Sequence, residues 1–193
     1  MRGFTLVEIM ITTIILVVVT SMLLPNFRAF SADINLRRSA QEMALVIREA
    51  QASAFAVRGF DHDNNPGTPL LFTSWGVYFD IANPNSFIIF VDADGDDTYD
   101  QDESVRTITV PSPIKIDRLC KGLETSEPDL CTGDAPSITR LDVTYQRPNP
   151  DTTLRANLLP DPGTYTDLQI VLRNPEGQER TVVVWSTGQI SIK

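Results

Sequence analysis

The chain has 193 residues, 16 of them basic and 25 acidic, for a net charge of −9 and an isoelectric point near 4.5. That length holds one ordinary domain plus an extension. The acidic balance works against nucleic-acid phosphate as the main partner. With one histidine, no CxxC, no phosphate-cradling glycine loop and no nucleophile motif, the sequence makes no case for an enzyme.

The first element is read from Met1 to Leu24. From Phe4 to Leu24 the run is apolar apart from Thr and Ser hydroxyls and one carboxylate, Glu8. As a helix it spans about 31 Å, the thickness of one hydrocarbon core. Thr and Ser are tolerated in lipid because their hydroxyls bond back to the helix carbonyls. A lone carboxylate there costs roughly 2.5–3.5 kcal/mol on the gentlest insertion scale, so Glu8 requires a partner or a proton. The basic leader is Arg2 alone, and Gly3 is the one small residue beside it, so the pattern is not that of an ordinary secretory signal. A cut between Gly3 and Phe4 would leave the whole apolar helix on the mature chain, with Glu8 one turn from a new α-amino group. A plain anchor whose Glu8 snorkels or stays protonated is the bland alternative.

Arg2-Gly3-Phe4-Thr5-Leu6-Val7-Glu8 resembles the cleavage and methylation motif of type IV pilins and type II secretion pseudopilins. The resemblance implies cleavage after Gly3 by a prepilin peptidase and N-methylation of Phe4. It also implies pairing of Glu8 with the α-amino group of a neighbouring subunit during filament assembly. Arg2 against Arg28, Arg37 and Arg38 would, on a positive-inside count, keep the C-terminal side in the cytoplasm. The resemblance implies the opposite: leader inside, head outside the plasma membrane.

Pro25 predicts a kink or local opening, after which helical spacing resumes through Phe27, Phe30, Ile34, Ala40, Met43, Ile47, Ala50, Ala54 and Val57. One helix from about Phe4 to Arg58 is expected, stopped by Gly59. Its alanines allow a sheet to approach closely. The phrase Ser39 to Gly59 resembles the GspH/FimT branch of the family. The implied fold is α+β, a long N-terminal helix packed on an antiparallel β-domain of two small sheets. The implied division is a leader (1–3), a transmembrane half-helix (4–24), an amphipathic half (25–58) and a β-rich head (59–193).

Beyond a loop at 60–70, short β-rich runs are expected at Ser74–Phe79, Ser86–Val91, Val105–Val110, Ile138–Tyr145, Asp167–Leu172, Arg180–Val184 and Gln189–Lys193, separated by Pro, Gly and Asn turns. The clearest hairpin joins Asp167–Leu172 to Arg180–Val184 across Asn174-Pro175-Glu176-Gly177. The region 146–166 is proline-rich and reads as a long loop. Cys120 and Cys131 have no histidine near them for a zinc site. In an exported head they would form a disulfide worth about 3 kcal/mol; in a reducing compartment they would be buried thiols.

Residues 92–103 read DADGDDTYDQDE. Asp92, Asp94, Asp96, Asp100 and Glu103 fall at the side-chain ligand positions of an EF-hand loop, with Thr98 at the carbonyl position. The glycine is two places early, at Gly95, Asp97 stands where it belongs, and the flanks read as strands. The stretch is therefore a calcium-binding hairpin or a solvated acidic tip, not an EF-hand. The Asp61-His62-Asp63 triplet reads as a solvated loop. Some FimT-like proteins bind DNA through a Gly-Arg-x-Arg tail, but here the tail is Gly188-Gln189-Ile190-Ser191-Ile192-Lys193 without either arginine. The expected role is a minor pilin or pseudopilin. The alternatives are a DNA-uptake pilin and a calcium-dependent membrane-anchored binding module. The resemblance implies other subunits, prepilin peptidase, an assembly platform and an ATPase as partners.

Overall fold

A computed structural model describes residues 3–56, 59–61, 73–122, 130–146, 152–157 and 165–193, with the backbone alone at 22–29. One helix, α1 (Leu6–Phe55), precedes ten strands. These are β1 (Ser74–Asp80), β2 (Ser86–Asp92), β3 (Ser104–Thr109), β4 (Lys115–Lys121), β5 (Leu130–Cys131), β6 (Arg140–Tyr145), β7 (Thr152–Ala156), β8 (Asp167–Arg173), β9 (Glu179–Trp185) and β10 (Ile190–Ile192). They form two antiparallel five-stranded sheets, ordered β3-β2-β1-β6-β7 and β10-β9-β8-β4-β5. The architecture is α+β, with the helix on two antiparallel sheets.

Period-2 alternation turns one face of each sheet inward. Val77 and Phe79 of β1, Leu141 and Val143 of β6, and Leu168, Ile170 and Leu172 of β8 are buried in one shared core. The C-terminal half of α1 closes that core against β1, β6, β8, β9 and β10. Its buried stripe is Leu36, Ala40, Met43, Ala44, Ile47, Ala50 and Ala54, spaced three and four apart. Four of the seven are alanines, whose short side chains let the helix backbone lie close to the strands. Polar ties fix the helix along its length. Arg180 Nη2 meets Asp33 Oδ1 at 2.8 Å, Arg106 Nη2 meets Glu49 Oε2 at 2.6 Å, and Gln51 Nε2 donates to the Gly188 carbonyl at 3.3 Å.

The expected stripe extends too far toward the N-terminus. Phe30 is 64% exposed and Ile34 46% exposed, because burial on the head begins only at Leu36. The helix ends at Phe55 with Ala56 as its cap, short of Arg58; Val57 and Arg58 lie outside the described residues. The helix assignment runs unbroken through Pro25, whose side chain also lies outside the description.

All seven expected strands are present, and the β8–β9 hairpin turns at Asn174–Gly177, where the Gln178 amide donates to Asn174 Oδ1 at 2.9 Å. Three further strands were not expected. In β4 a register shift between Ile116 and Arg118 places the inward residues Ile116 and Leu119 three apart, erasing the period-2 signal. Strand β7 lies inside the proline-rich region read as loop, although Thr152, Leu154 and Ala156 alternate inward. Strand β5 is two residues long and is held by its pairing with β4.

Candidate functional site

Two features of the sequence stand apart from the core: the N-terminal half of α1 and the acidic stretch after β2. Thr5 is the N-cap of α1, with extended φ/ψ, and its Oγ1 accepts from the Glu8 amide at 3.3 Å. Glu8 thus sits in the first turn, where the positive end of the helix dipole favours a carboxylate. The sequence reading missed Thr5; the signal was the Thr-x-x-Glu spacing that opens many helices. Gly3, Phe4 and Glu8 are all exposed.

Every described side chain from Phe4 to Ser21 is exposed, including six consecutive large apolar residues, Ile14 to Val19. Six consecutive residues cover the full circumference of a helix, so this rod is apolar on all sides and rests on none of the other described residues. Its hydroxyls are spent internally, Thr12 on the Ile9 carbonyl (2.9 Å), Thr20 on Leu16 (2.8 Å) and Ser21 on Val18 (2.8 Å). Among the described residues no helix is long and apolar enough to cross a membrane. The described side chains of the rod end at Ser21, about 24 Å from its start, and the expected span continues into 22–24.

The acidic stretch folds back on the outer face of the first sheet. Asp92, at the end of β2, is fully buried, and its Oδ1 accepts from the amides of Gly95 (2.7 Å) and Asp96 (3.2 Å) while Oδ2 accepts from that of Asp97 (3.3 Å). Glu103, also buried, closes the other end: Oε1 accepts from the Ala93 amide at 2.6 Å and Oε2 from the Asp100 amide at 3.0 Å. Burial raises the pKa of both carboxyls, against the lowering effect of those amides. Asp97 takes a left-handed conformation (φ +61°), the role that an EF-hand gives to glycine, and Gly95 takes another (φ +82°). The flanks are strands β2 and β3, with a 3₁₀ turn at Gln101–Glu103.

The stretch is anchored to β6 and β7. The Tyr99 amide donates to Asp142 Oδ1 at 3.0 Å, Thr144 Oγ1 donates to Asp97 Oδ1 at 3.3 Å, and Arg155 Nη2 lies 3.4 Å from Asp97 Oδ2. The Tyr99 ring stacks on Tyr78 at 4.6 Å and meets the edge of the fully buried Phe90 at 5.6 Å. This small outer core requires Gly76, because a Cβ there would stand 2.5 Å from the Phe90 ring. The base of the stretch is therefore packed, while Asp94, Gly95 and Asp96 at its tip are exposed. Asp142 is 2% exposed, and burial lifts its pKa to about 6 despite the neighbouring Arg140.

Of the five expected cation ligands, Asp92, Asp94 and Asp96 come together, with one oxygen from each within 4.8 Å of the others. Asp100 and Glu103 stand outside that group. A hard cation fits three convergent carboxylates: Asp92 Oδ1 is taken up by two amides, but its Oδ2 accepts only one and retains a lone pair.

Cys120 and Cys131 form a disulfide directly across the β4–β5 pair. His62 lies outside the described residues. No family model, no curated protein and no solved structure matches this chain.

Proposed function

We propose that this chain is a structural filament subunit, a minor pilin or pseudopilin, as the resemblance of Arg2–Glu8 implies. In this reading a prepilin peptidase cuts after Gly3, Phe4 becomes the methylated N-terminus, and the apolar rod waits in the plasma membrane with the head outside. Glu8 of an incoming subunit then meets the α-amino group of a neighbour, so each buried charge gains its counter-ion. An assembly platform and its ATPase would drive extraction into the filament. The observation that carries the reading is the rod itself: a helix apolar on every side, bearing one carboxylate in its first turn, projecting from a head whose core is complete without it. The disulfide supports an exported head.

Glu8→Ala is the test, in cells that build the filament. Membrane insertion should persist while incorporation falls by about tenfold or more, the cost of leaving a buried amine unpaired. Incorporation at the wild-type level, or a purified native protein that still starts at Met1, would reject the role.

A second reading is favoured by the convergence of Asp92, Asp94 and Asp96: the acidic hairpin binds calcium. Calorimetric titration of the full chain in detergent should then show saturable binding that Asp94→Asn with Asp96→Asn removes. No saturable heat below millimolar calcium would end that reading.

A further inference from the structure

We propose that Asp94-Gly95 is a site of spontaneous aspartate isomerisation, and that the folded hairpin suppresses the reaction, with Asp92 as the protecting residue. The chain contains no other Asp-Gly pair and no Asn-Gly pair. In this chemistry the Gly95 amide nitrogen attacks Cγ of Asp94. The nitrogen loses its proton, a carboxyl oxygen leaves as water, and a five-membered succinimide forms. Water then reopens the ring at either carbonyl, and one of the two products carries the main chain through Cβ and Cγ. One water leaves and one returns, so no cofactor or oxidant is required. Glycine on the C-terminal side favours attack because no side chain shields its nitrogen, and the space where a Gly95 Cβ would stand is empty.

Two contacts engage the reacting groups. The Gly95 amide donates to Asp92 Oδ1 at 2.7 Å. Removing its proton would place a second negative charge against a buried carboxylate, which Coulomb repulsion opposes strongly at that range. Asp94 Oδ1 accepts from the Asp96 amide at 3.2 Å, a contact that must loosen before the carboxyl can rotate onto the Gly95 nitrogen. The reaction then proceeds through the fraction of molecules in which the hairpin is locally open. The product would matter to the fold. An extra backbone carbon three residues before the left-handed Asp97 would draw that residue away from Thr144 and Arg155, its anchors on β6 and β7.

The experiment incubates the full chain in detergent at neutral pH, with and without urea, and measures isoaspartate at Asp94 by peptide mapping. Isomerisation should be about tenfold or more slower in the folded protein than in urea, and Asp92→Asn should raise the folded-state rate several-fold. Equal rates with and without urea would overturn the suppression. An unchanged rate in Asp92→Asn would overturn the protecting role, and a slower one would overturn it and make Asp92 a base for the attack. Asp94→Asn gives an arm independent of that variant. Ring closure there expels ammonia and changes the mass, and its rate must show the same dependence on urea.

Discussion

Asp142 shows how a single residue on the outer face of a sheet acquires a measurable property. Its neighbours on β6, Leu141 and Val143, face the core, so Asp142 faces outward, and only the folded-back hairpin buries it. Its pKa of about 6 lies above the ordinary value of 3.8, so the folded state holds that proton more tightly than the unfolded chain. The associated stability is fully present below about pH 4 and is lost as pH rises through about 6, a change of roughly 3 kcal/mol. Burial raises Asp92 and Glu103 in the same direction, so Asp142→Asn should flatten the slope between pH 4 and 7 without abolishing it. Urea midpoints across that range check this; a slope equal to that of the wild type would refute it. None of this was visible in the sequence, where Asp142 is one carboxylate among many in an acidic chain.

Two elements carry most of what is specific to the head. The acidic hairpin depends on Gly76 for the approach of Phe90. Gly76→Ala should destabilise the head by about 1–3 kcal/mol and increase exchange of the Tyr99 amide, which hydrogen exchange would detect; protection equal to wild type would show that the ring yields without cost. The β4–β5 pair depends on the disulfide, whose partners stand 11 residues apart. Replacing Cys120 and Cys131 by Ser should cost about 2–4 kcal/mol in a urea titration, a loss absent if β5 holds its place without the bridge. The candidate cation site was legible as a twelve-residue pattern because side chains at alternating positions were aspartates. The convergence of three of them, and the diversion of Glu103 to the Ala93 and Asp100 amides, follow from how the stretch closes on its own backbone. Strand β4 was hidden for a local reason, its bulge, and β7 by the prolines around it.

Over the whole molecule, one helix has two lives. On the head it is a core element, and beyond the head it is a rod with no partner among the described residues. Positions two residues apart separate the two kinds of surface. Ile47 is fully buried, so Ile47→Ala should cost about 2–5 kcal/mol. Leu45, 59% exposed on the opposite side, should change head stability by no more than about 0.5 kcal/mol when replaced by Ala. A filament subunit would then reveal Leu45 through assembly alone, so incorporation and urea stability of the same two variants distinguish a core contact from a contact between copies. Equal losses of stability at both positions would contradict the described packing.

The sequence by itself determined the long N-terminal helix, the apolar rod with its single carboxylate, the antiparallel hairpins and the pairable cysteines. Each of these is set by local periodicity, turn chemistry or composition, and each is legible within a window of a few residues. The tertiary structure alone decided where the helix stripe begins to be buried, since Phe30 and Ile34 fit the pattern as well as Ala40 does and differ only in having no sheet beneath them. It alone decided that the acidic stretch is anchored at its base and that a two-residue strand persists. The physical reason for the first two is that burial and anchoring depend on groups 40 or more positions away in the chain or on a sheet built later in it, as with Asp97 on Thr144 and Tyr99 on Asp142, and no local pattern encodes such a partner; the short strand rests on pairing and a disulfide to β4, 11 positions back.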